Sequence, residues 1–407
     1  MKSFLVTVAA GLALAVSGAA VAQDDAVSDG YVKIGVLGDM SGVYSDVAGP
    51  GMKIAAQMAI DDFGGEVLGK PIKLVADNHQ NKAEIGSATA RRWLDKDGVD
   101  MITGMENSAV GLAVQHLASE KKVITIDTGA GSTAFTEKAC TPYGIHYTYD
   151  VHATATATAT AIVREGGKKW FFIAADYAFG HSLRDNTANV VEKLGGSVLG
   201  TVFAPLSAND FSSYLLQAQA SGADVIGLAN SGGDVVNAIK QASAFGLIQQ
   251  GQQLAALLIY IQNVKSIGLK EAQGLQFTSA FYWNRDEASR QWSQRFFEKN
   301  HAMPSMIHAG TYSAVTAYLN AVKAAGTDNS DAVRAQLGKM TINDFFAANG
   351  KVQPNGSMVH DMYLLKVKAP ADSKGDWDLM DVVRTVPAND AFIPLSKSAC
   401  PLLKKAS

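Results

Sequence analysis

From Tyr31 onward the chain alternates short β-rich apolar runs with stretches whose apolar residues recur at helical spacing, and it does so twice. Val32 to Leu37 is a compact strand-like run, and Gly51 to Phe63 places Met52, Ala55, Ala56, Ala59, Ile60 and Phe63 on one helical face. Ile72 to Ala76, Met101 to Thr103 and Val123 to Ile126 read as further strands, with helices over Glu84 to Asp95 and Ala109 to Glu120. A βαβαβαβ order requires a parallel sheet covered by helices on both faces. The rhythm restarts with strands at Trp170 to Ala174, Val198 to Val202, Val225 to Leu228 and Leu254 to Tyr260. Helices at Phe179 to Leu194, Phe211 to Ser221 and Val235 to Phe245 lie between them. The chain is thus expected to be α/β, with two doubly wound parallel-sheet lobes.

Between the two units His152 to Ala161 alternates Ala and Thr, which has the period of a strand. Its side chains are small throughout and it runs into Ile162, Val163 and Arg164 before Gly166 and Gly167, a good helix stop, so a helix is predicted there. A low-complexity linker is the alternative. Arg290 to Asn300 and Ser313 to Ala325 read as amphipathic helices, Met362 to Lys368 as an alternating strand, and Asp372 to Lys405 as surface strand and tail.

Residues 1–22 carry a different signal. Met1 and Lys2 precede an apolar run from Phe4 to Val16, and Ala20-Val21-Ala22 forms a small-x-small exit before Gln23. The run is shorter than the ~20 apolar residues a membrane span needs, so it reads as a secretory signal peptide cleaved near Gln23. About 385 residues would remain, enough for two domains. The formal net charge of -3 leaves no basic excess to neutralise a phosphate backbone, so nucleic acid is not an expected partner. Cys140 and Cys400 are too few for a disulfide scaffold. A secreted chain tends not to keep two free thiols, which predicts one bridge tying the tail to the body; two buried free thiols are the alternative.

In open α/β sheets ligands bind outside the carboxyl ends of the strands, which singles out six loops. Gly38 to Ser45 pairs small residues with Tyr44 and the hydroxyls of Ser41 and Ser45. Gly104 to Ser108 ends in Asn107 and Ser108, where an N-cap should precede the helix from Ala109. Such a helix start presents free N–H groups and the positive end of a dipole, suited to a carboxylate. Asp127 to Thr133, with Gly129, Ala130, Gly131 and Ser132, repeats the arrangement. Across the cleft come Tyr177 and Phe179, Ser231 and Asp234, Tyr260, and Tyr282 with Trp283. Each loop taken alone also reads as ordinary turn and cap chemistry.

Tyr31 to Gly42, Gly51 to Asp61, Asp77, the Gly104 to Ser108 turn, Asp176 to Gly180 and His360 to Lys368 together resemble the periplasmic solute-binding proteins of ABC importers. The likeness is to the leucine/isoleucine/valine-binding type and covers nearly the whole mature chain. It implies a type I periplasmic binding fold, two lobes joined by three crossovers that close over a small ligand by hinge bending. Carried onto this chain, the crossovers fall near Tyr149, Ala280 and His360. The N-terminal lobe is then 31–149 plus 282–358, the C-terminal lobe 150–281 plus 359–395, and 396–407 a tail. The resemblance also implies a periplasmic location, a membrane permease and ATPase as partners, a monomer and no cofactor.

In amino-acid-binding members the ligand carboxylate meets groups at positions matching Asn107, Ser108 and the Gly129 to Ser132 turn, and an aromatic at the position of Phe179 covers the ligand. This sequence departs from that pattern: Gly131 stands in for the turn threonine, with Ser132 beside it, and Ser231 for an aromatic. No acid lies between Leu258 and Gln262 to hold an ammonium, and Asp234 is the candidate substitute. Tyr44, Tyr177, Phe179, Tyr260, Tyr282 and Trp283 instead suggest an aromatic-rich cleft, similar to members that carry aromatic acids. An aromatic carboxylate is therefore the first expectation, and a branched-chain or other amino acid the second. Burying one ring of ~150 Å² contributes roughly 4 kcal/mol. A micromolar complex needs about 8 kcal/mol, so charge-assisted hydrogen bonds must supply the rest.

Two other classes fit less well. There is no G-x-S-x-G elbow, H-E-x-x-H, P-loop or G-x-G-x-x-G, and the eight histidines include no pair at metal-binding spacing on one helix, so neither catalysis nor a metal site is expected. A ligand-sensing receptor of the same fold would need a separate partner.

Overall fold

The computed structural model describes residues 26–247 and 251–405. The expected signal peptide, 1–22, lies outside them. Six strands form the first sheet: β1 (Val32–Gly38), β2 (Glu66–Val67), β3 (Lys70–Asn78), β4 (Met101–Gly104), β5 (Ile124–Asp127) and β6 (Gly144–His146). Their order is β2-β3-β1-β4-β5-β6, and every pair is parallel except the β2–β3 hairpin. Helix α1 (Gly49–Phe63) packs on one face, and α2 (Ala83–Asp95) with α3 (Ser108–Glu120) on the other. The two-residue period of β1 sets this arrangement. Val32, Ile34 and Val36 join the core under α1, whereas Leu37 joins the α2/α3 core. At Gly35, on that second face, a Cβ would stand 2.6 Å from the Trp93 ring, so glycine is what lets α2 lie flat on the sheet.

Helix α4 (Val151–Arg164) covers the Ala-Thr repeat, as the composition predicts. Asp150 caps it by accepting from Ala153 N at 2.7 Å, and its alternating small residues pack closely against the helix α5 (Ala178–Lys193). The second sheet joins β7 (Lys169–Ala175), β8 (Ser197–Ala204), β9 (Val225–Ala229) and β10 (Gln253–Ala256), all parallel, in the order β10-β9-β7-β8. Trp170 and Phe172 face α4 and α5. Phe171 and Ile173 face α6 (Ser212–Ala220) and α7 (Gly233–Ala244).

The strand predicted to Tyr260 stops at Ala256. Leu257 and Leu258 leave the sheet, and Tyr260 becomes the residue before α8 (Ile261–Ile267), which is followed by α9 (Leu269–Ala272). A continuous apolar run does not distinguish strand from buried loop. Beyond it, β11 (Gln276–Ser279) leads into α10 (Glu287–Asn300), α11 (Met306–Ala325) and α12 (Ser330–Lys339), of which α10 and α11 pack back on α1. A small hairpin, β12 (Lys351–Val352) with β13 (Met358–Val359), precedes β14 (Met362–Val367) and β15 (Met380–Val386). Strands β11, β14 and β15 form an antiparallel sheet beside α4.

The chain thus runs between the two bodies at 147–150, 280–286 and 360–361. The first and third passages touch through the His360 ring, whose Nε2 lies 2.9 Å from the Thr148 carbonyl. Cys140 and Cys400 are bonded to one another. No helix among the described residues is long and apolar enough to cross a membrane.

Candidate functional site

The carboxyl ends of both parallel sheets face each other across one cavity. From the first body its wall takes Tyr44, Val47, Glu106, Tyr149 and Ile307; from the second it takes Tyr177, Phe179, Ser231, Leu258 and Tyr260. The position of Tyr44 follows from Asp39, at the end of β1. The carboxyl group of Asp39 accepts from Gly42 N at 2.7 Å, Tyr44 N at 3.0 Å and Asn81 Nδ2 at 2.6 Å, which folds the loop into a fixed turn. The Tyr44 hydroxyl then meets that of Tyr177 at 2.5 Å. A second pair joins the bodies beside it: Tyr149 donates to the Gly129 carbonyl at 2.7 Å and so accepts from Tyr260, 2.8 Å away. Phe179 packs against Tyr177 with ring centroids 5.8 Å apart. A Cβ on Gly131 would stand 3.2 Å from both Phe179 and Tyr149, so the two rings close over a residue without a side chain.

Burial raises the pKa of all four phenols. Desolvation is the main cause for each, with further contributions between neighbouring hydroxyls. They are neutral at any physiological pH and act as donors and acceptors, not as anions. Glu106 differs from the rest of the wall. One carboxyl oxygen, Oε1, accepts from Asp39 N and lies 3.3 Å from His79 Nε2, while Oε2 has no hydrogen-bond partner among the described residues. No lysine or arginine is among the lining residues.

Of the residues singled out in the sequence, Tyr44, Tyr177, Phe179, Ser231 and Tyr260 meet at this cavity. The groups expected to hold a carboxylate have partners within the protein. Asn107 caps α3, accepting from Ala109 N and Val110 N. Ser108 Oγ accepts from Gly131 N and Ser132 N at 3.3 and 3.2 Å. Gly129 N and Ala130 N donate to Asp127 Oδ1, and Ser132 Oγ accepts from Ala134 N. Ser45 Oγ donates to the Gly42 carbonyl, and the residue lines a separate, wider groove of about 480 Å³ between the start of α1 and α8.

Asp234 opens α7 and accepts from Ser207 N at 3.0 Å; burial pushes its pKa up to about 7 against the pull of that bond. Tyr282 accepts from Met380 N and lines a small cavity behind Tyr260, and the Trp283 ring N–H donates to the Trp377 carbonyl. Tyr282 packs in the second core, Trp283 lies between the two cores, and both are outside the Tyr44–Tyr177 cavity, because the turn after β11 carries them toward β15. Sequence reasoning missed Glu106, Tyr149, Val47, Leu258 and Ile307. Glu106 lies in the Gly104 to Ser108 loop, where its neighbours Asn107 and Ser108 offer the more familiar cap chemistry. No group of three His, Cys, Asp or Glu side chains among the described residues could hold a metal ion.

Two parallel-sheet bodies, three connecting passages and a cavity between them describe a ligand-enclosing molecule. A family model described as periplasmic binding protein matches residues 31–376. The chain belongs to the periplasmic binding protein family. Its fold is the type I periplasmic binding fold, as the resemblance implied, and the family role is capture of a solute for an ABC transporter.

A periplasmic binding protein from Burkholderia mallei is 53% identical in sequence, with a TM-score of 0.90 over 91% of this chain and 99% of that one. A branched chain amino acid ABC transporter periplasmic ligand-binding protein from Burkholderia xenovorans is 40% identical, with a TM-score of 0.82 over 91% and 99%. The Leu/Ile/Val-binding protein homolog 6 of Brucella melitensis is 25% identical over 319 residues, 75% of this chain and 80% of its own length. In this periplasmic binding protein, the tyrosine cavity lies where the two bodies meet.

Proposed function

We propose that the protein captures a small carboxylate-bearing solute in the tyrosine cavity by closure of two lobes and delivers it to the permease and ATPase of an ABC importer. The lobes are 31–149 plus 282–358 and 150–281 plus 359–395, with 396–407 as a tail. The chain acts as a monomer in the periplasm after loss of residues 1–22. One observation carries this reading: Tyr44–Tyr177 and Tyr149–Tyr260 pair hydroxyl to hydroxyl across the two bodies around one enclosed space. That space measures about 10 Å³, roughly the room one water molecule needs. A solute enters only when the pairs part, which the three passages at 147–150, 280–286 and 360–361 allow as a hinge.

The ring-lined wall favours an aromatic acid. Its carboxylate has a donor in the Tyr44–Tyr177 pair, because two hydroxyls that share one hydrogen bond leave one O–H unused. A branched-chain or other amino acid is the second reading, favoured by the carboxyl group of Glu106 in the wall and by the names of the Burkholderia xenovorans and Brucella relatives. The test is a thermal-shift panel of aromatic acids, aliphatic amino acids and small amides on protein refolded to remove carried-over ligand. Stabilisation of several degrees by one class of acid is expected, since a ligand of the folded state alone raises stability by mass action. A flat response to both classes of acid would contradict the reading.

A further inference from the structure

We infer that the solute carries, besides its carboxylate, a hydrogen-bond donor that pairs with Oε2 of Glu106, and that Glu106 thereby decides which small acids the protein accepts. The inference rests on the reading of the tyrosine cavity as the solute site. Glu106 is only 6% exposed and lines that cavity, and its Oε2 has no hydrogen-bond partner among the described residues. Buried carboxyl oxygens are rarely left unmatched, and a donor on a solute in the adjoining cavity would match this one. None of the wall's donors reaches it: the hydroxyls of Tyr44, Tyr177 and Ser231 make no hydrogen bond to Oε2. The wall holds no lysine or arginine, the Tyr149 hydroxyl donates to Gly129 and the Tyr260 hydroxyl to Tyr149.

The backbone holds Glu106 where it is. Gly104 and Met105 both have positive φ, 100° and 60°, and Met105 N donates to the Leu37 carbonyl at 2.7 Å. A Cβ on Gly104 would stand 2.7 Å from that same carbonyl oxygen, so the turn into Glu106 needs glycine there. Oε1 is engaged by Asp39 N, which fixes the carboxyl plane and leaves Oε2 as the unmatched atom. Sites built around a buried hydrogen-bonding group reject analogues that lack the matching group far more strongly than apolar pockets reject a missing methylene. Two kinds of small acid supply such a donor: an amino acid through its ammonium, and a hydroxylated aromatic acid through its phenol.

The experiment measures affinities by calorimetry for two matched pairs, leucine against 4-methylpentanoate and 4-hydroxybenzoate against benzoate, on the unaltered protein and on Glu106→Gln. Glutamine keeps an oxygen for Asp39 N and replaces Oε2 with a donor. The expected result is that the donor-bearing member of one pair binds at least tenfold tighter to the unaltered protein and that E106Q removes most of this ratio. The pair that shows it separates ammonium from phenol. Equal affinity within a pair that binds would overturn the inference and leave the cavity reading standing, as would a ratio that survives in E106Q. Failure of all four acids to bind would overturn the small-acid reading itself and the inference with it. Should E106Q fail to fold, Glu106→Asp, which withdraws the carboxyl by one methylene, takes its place with the same expected loss of ratio.

Discussion

Tyr149 is tied into both bodies through a single oxygen, which donates to Gly129 and accepts from Tyr260. Tyr149→Phe leaves a buried carbonyl and a buried hydroxyl without their partner, and should cost about 1 to 3 kcal/mol of stability in a urea titration. Asp234 gives a pH signature. In the folded protein burial holds its proton up to about pH 7, whereas in the unfolded chain it is released in the ordinary carboxylate range. The unfolded chain therefore binds fewer protons between those values, and the contribution of Asp234 to stability is complete below about pH 4 and lost as pH rises toward 7. Relative to Asp234→Asn, the native protein should lose up to about 4 kcal/mol across that window. Unfolding curves at stepped pH measure the difference, and a flat difference would contradict the assignment. Aromatic positions such as Tyr44 and Phe179 were legible because they follow strand ends. Tyr149 and Glu106 were not, because their roles depend on partners far away in sequence.

Helix α3 shows why cap residues mislead at the scale of an element. Asn107 and Ser108 looked like an open carboxylate site, yet the cap side chain of Asn107 already takes two of the N–H groups, and Ser108 takes Gly131 N and Ser132 N. Asn107→Ala should lower stability by about 1 kcal/mol while leaving solute affinity within a factor of two. Thermal unfolding and calorimetry on the same variant check both halves. Apart from β2 and β6, the strands of the two parallel sheets were legible from apolar runs alone, since strands buried on both faces leave little else to read. Short pieces were not: β6, β11 and the β12–β13 hairpin span only two to four residues each, too few for a period to show. The early end of β10 has the same cause, because Leu257 and Leu258 are as apolar as the strand before them.

For the whole molecule, the alternation of strands and helices carried the two parallel sheets, and the likeness to solute-binding proteins carried the type I periplasmic binding fold. The bridge from Cys140 to Cys400 spans 260 residues of sequence and fastens the tail beside the first sheet, where Ser398 Oγ also donates to Glu137 at 2.7 Å. Closing so long a loop restricts the unfolded chain, and replacing both cysteines by serine should cost up to about 5 kcal/mol, read from guanidinium unfolding under non-reducing conditions. The central claim is capture by closure, and small-angle X-ray scattering tests it most directly, with the protein titrated by the acid that the thermal panel selects. The radius of gyration should be larger for the solute-free protein and fall as the two bodies close on the solute at saturation. Scattering that stays unchanged while calorimetry records binding would contradict it.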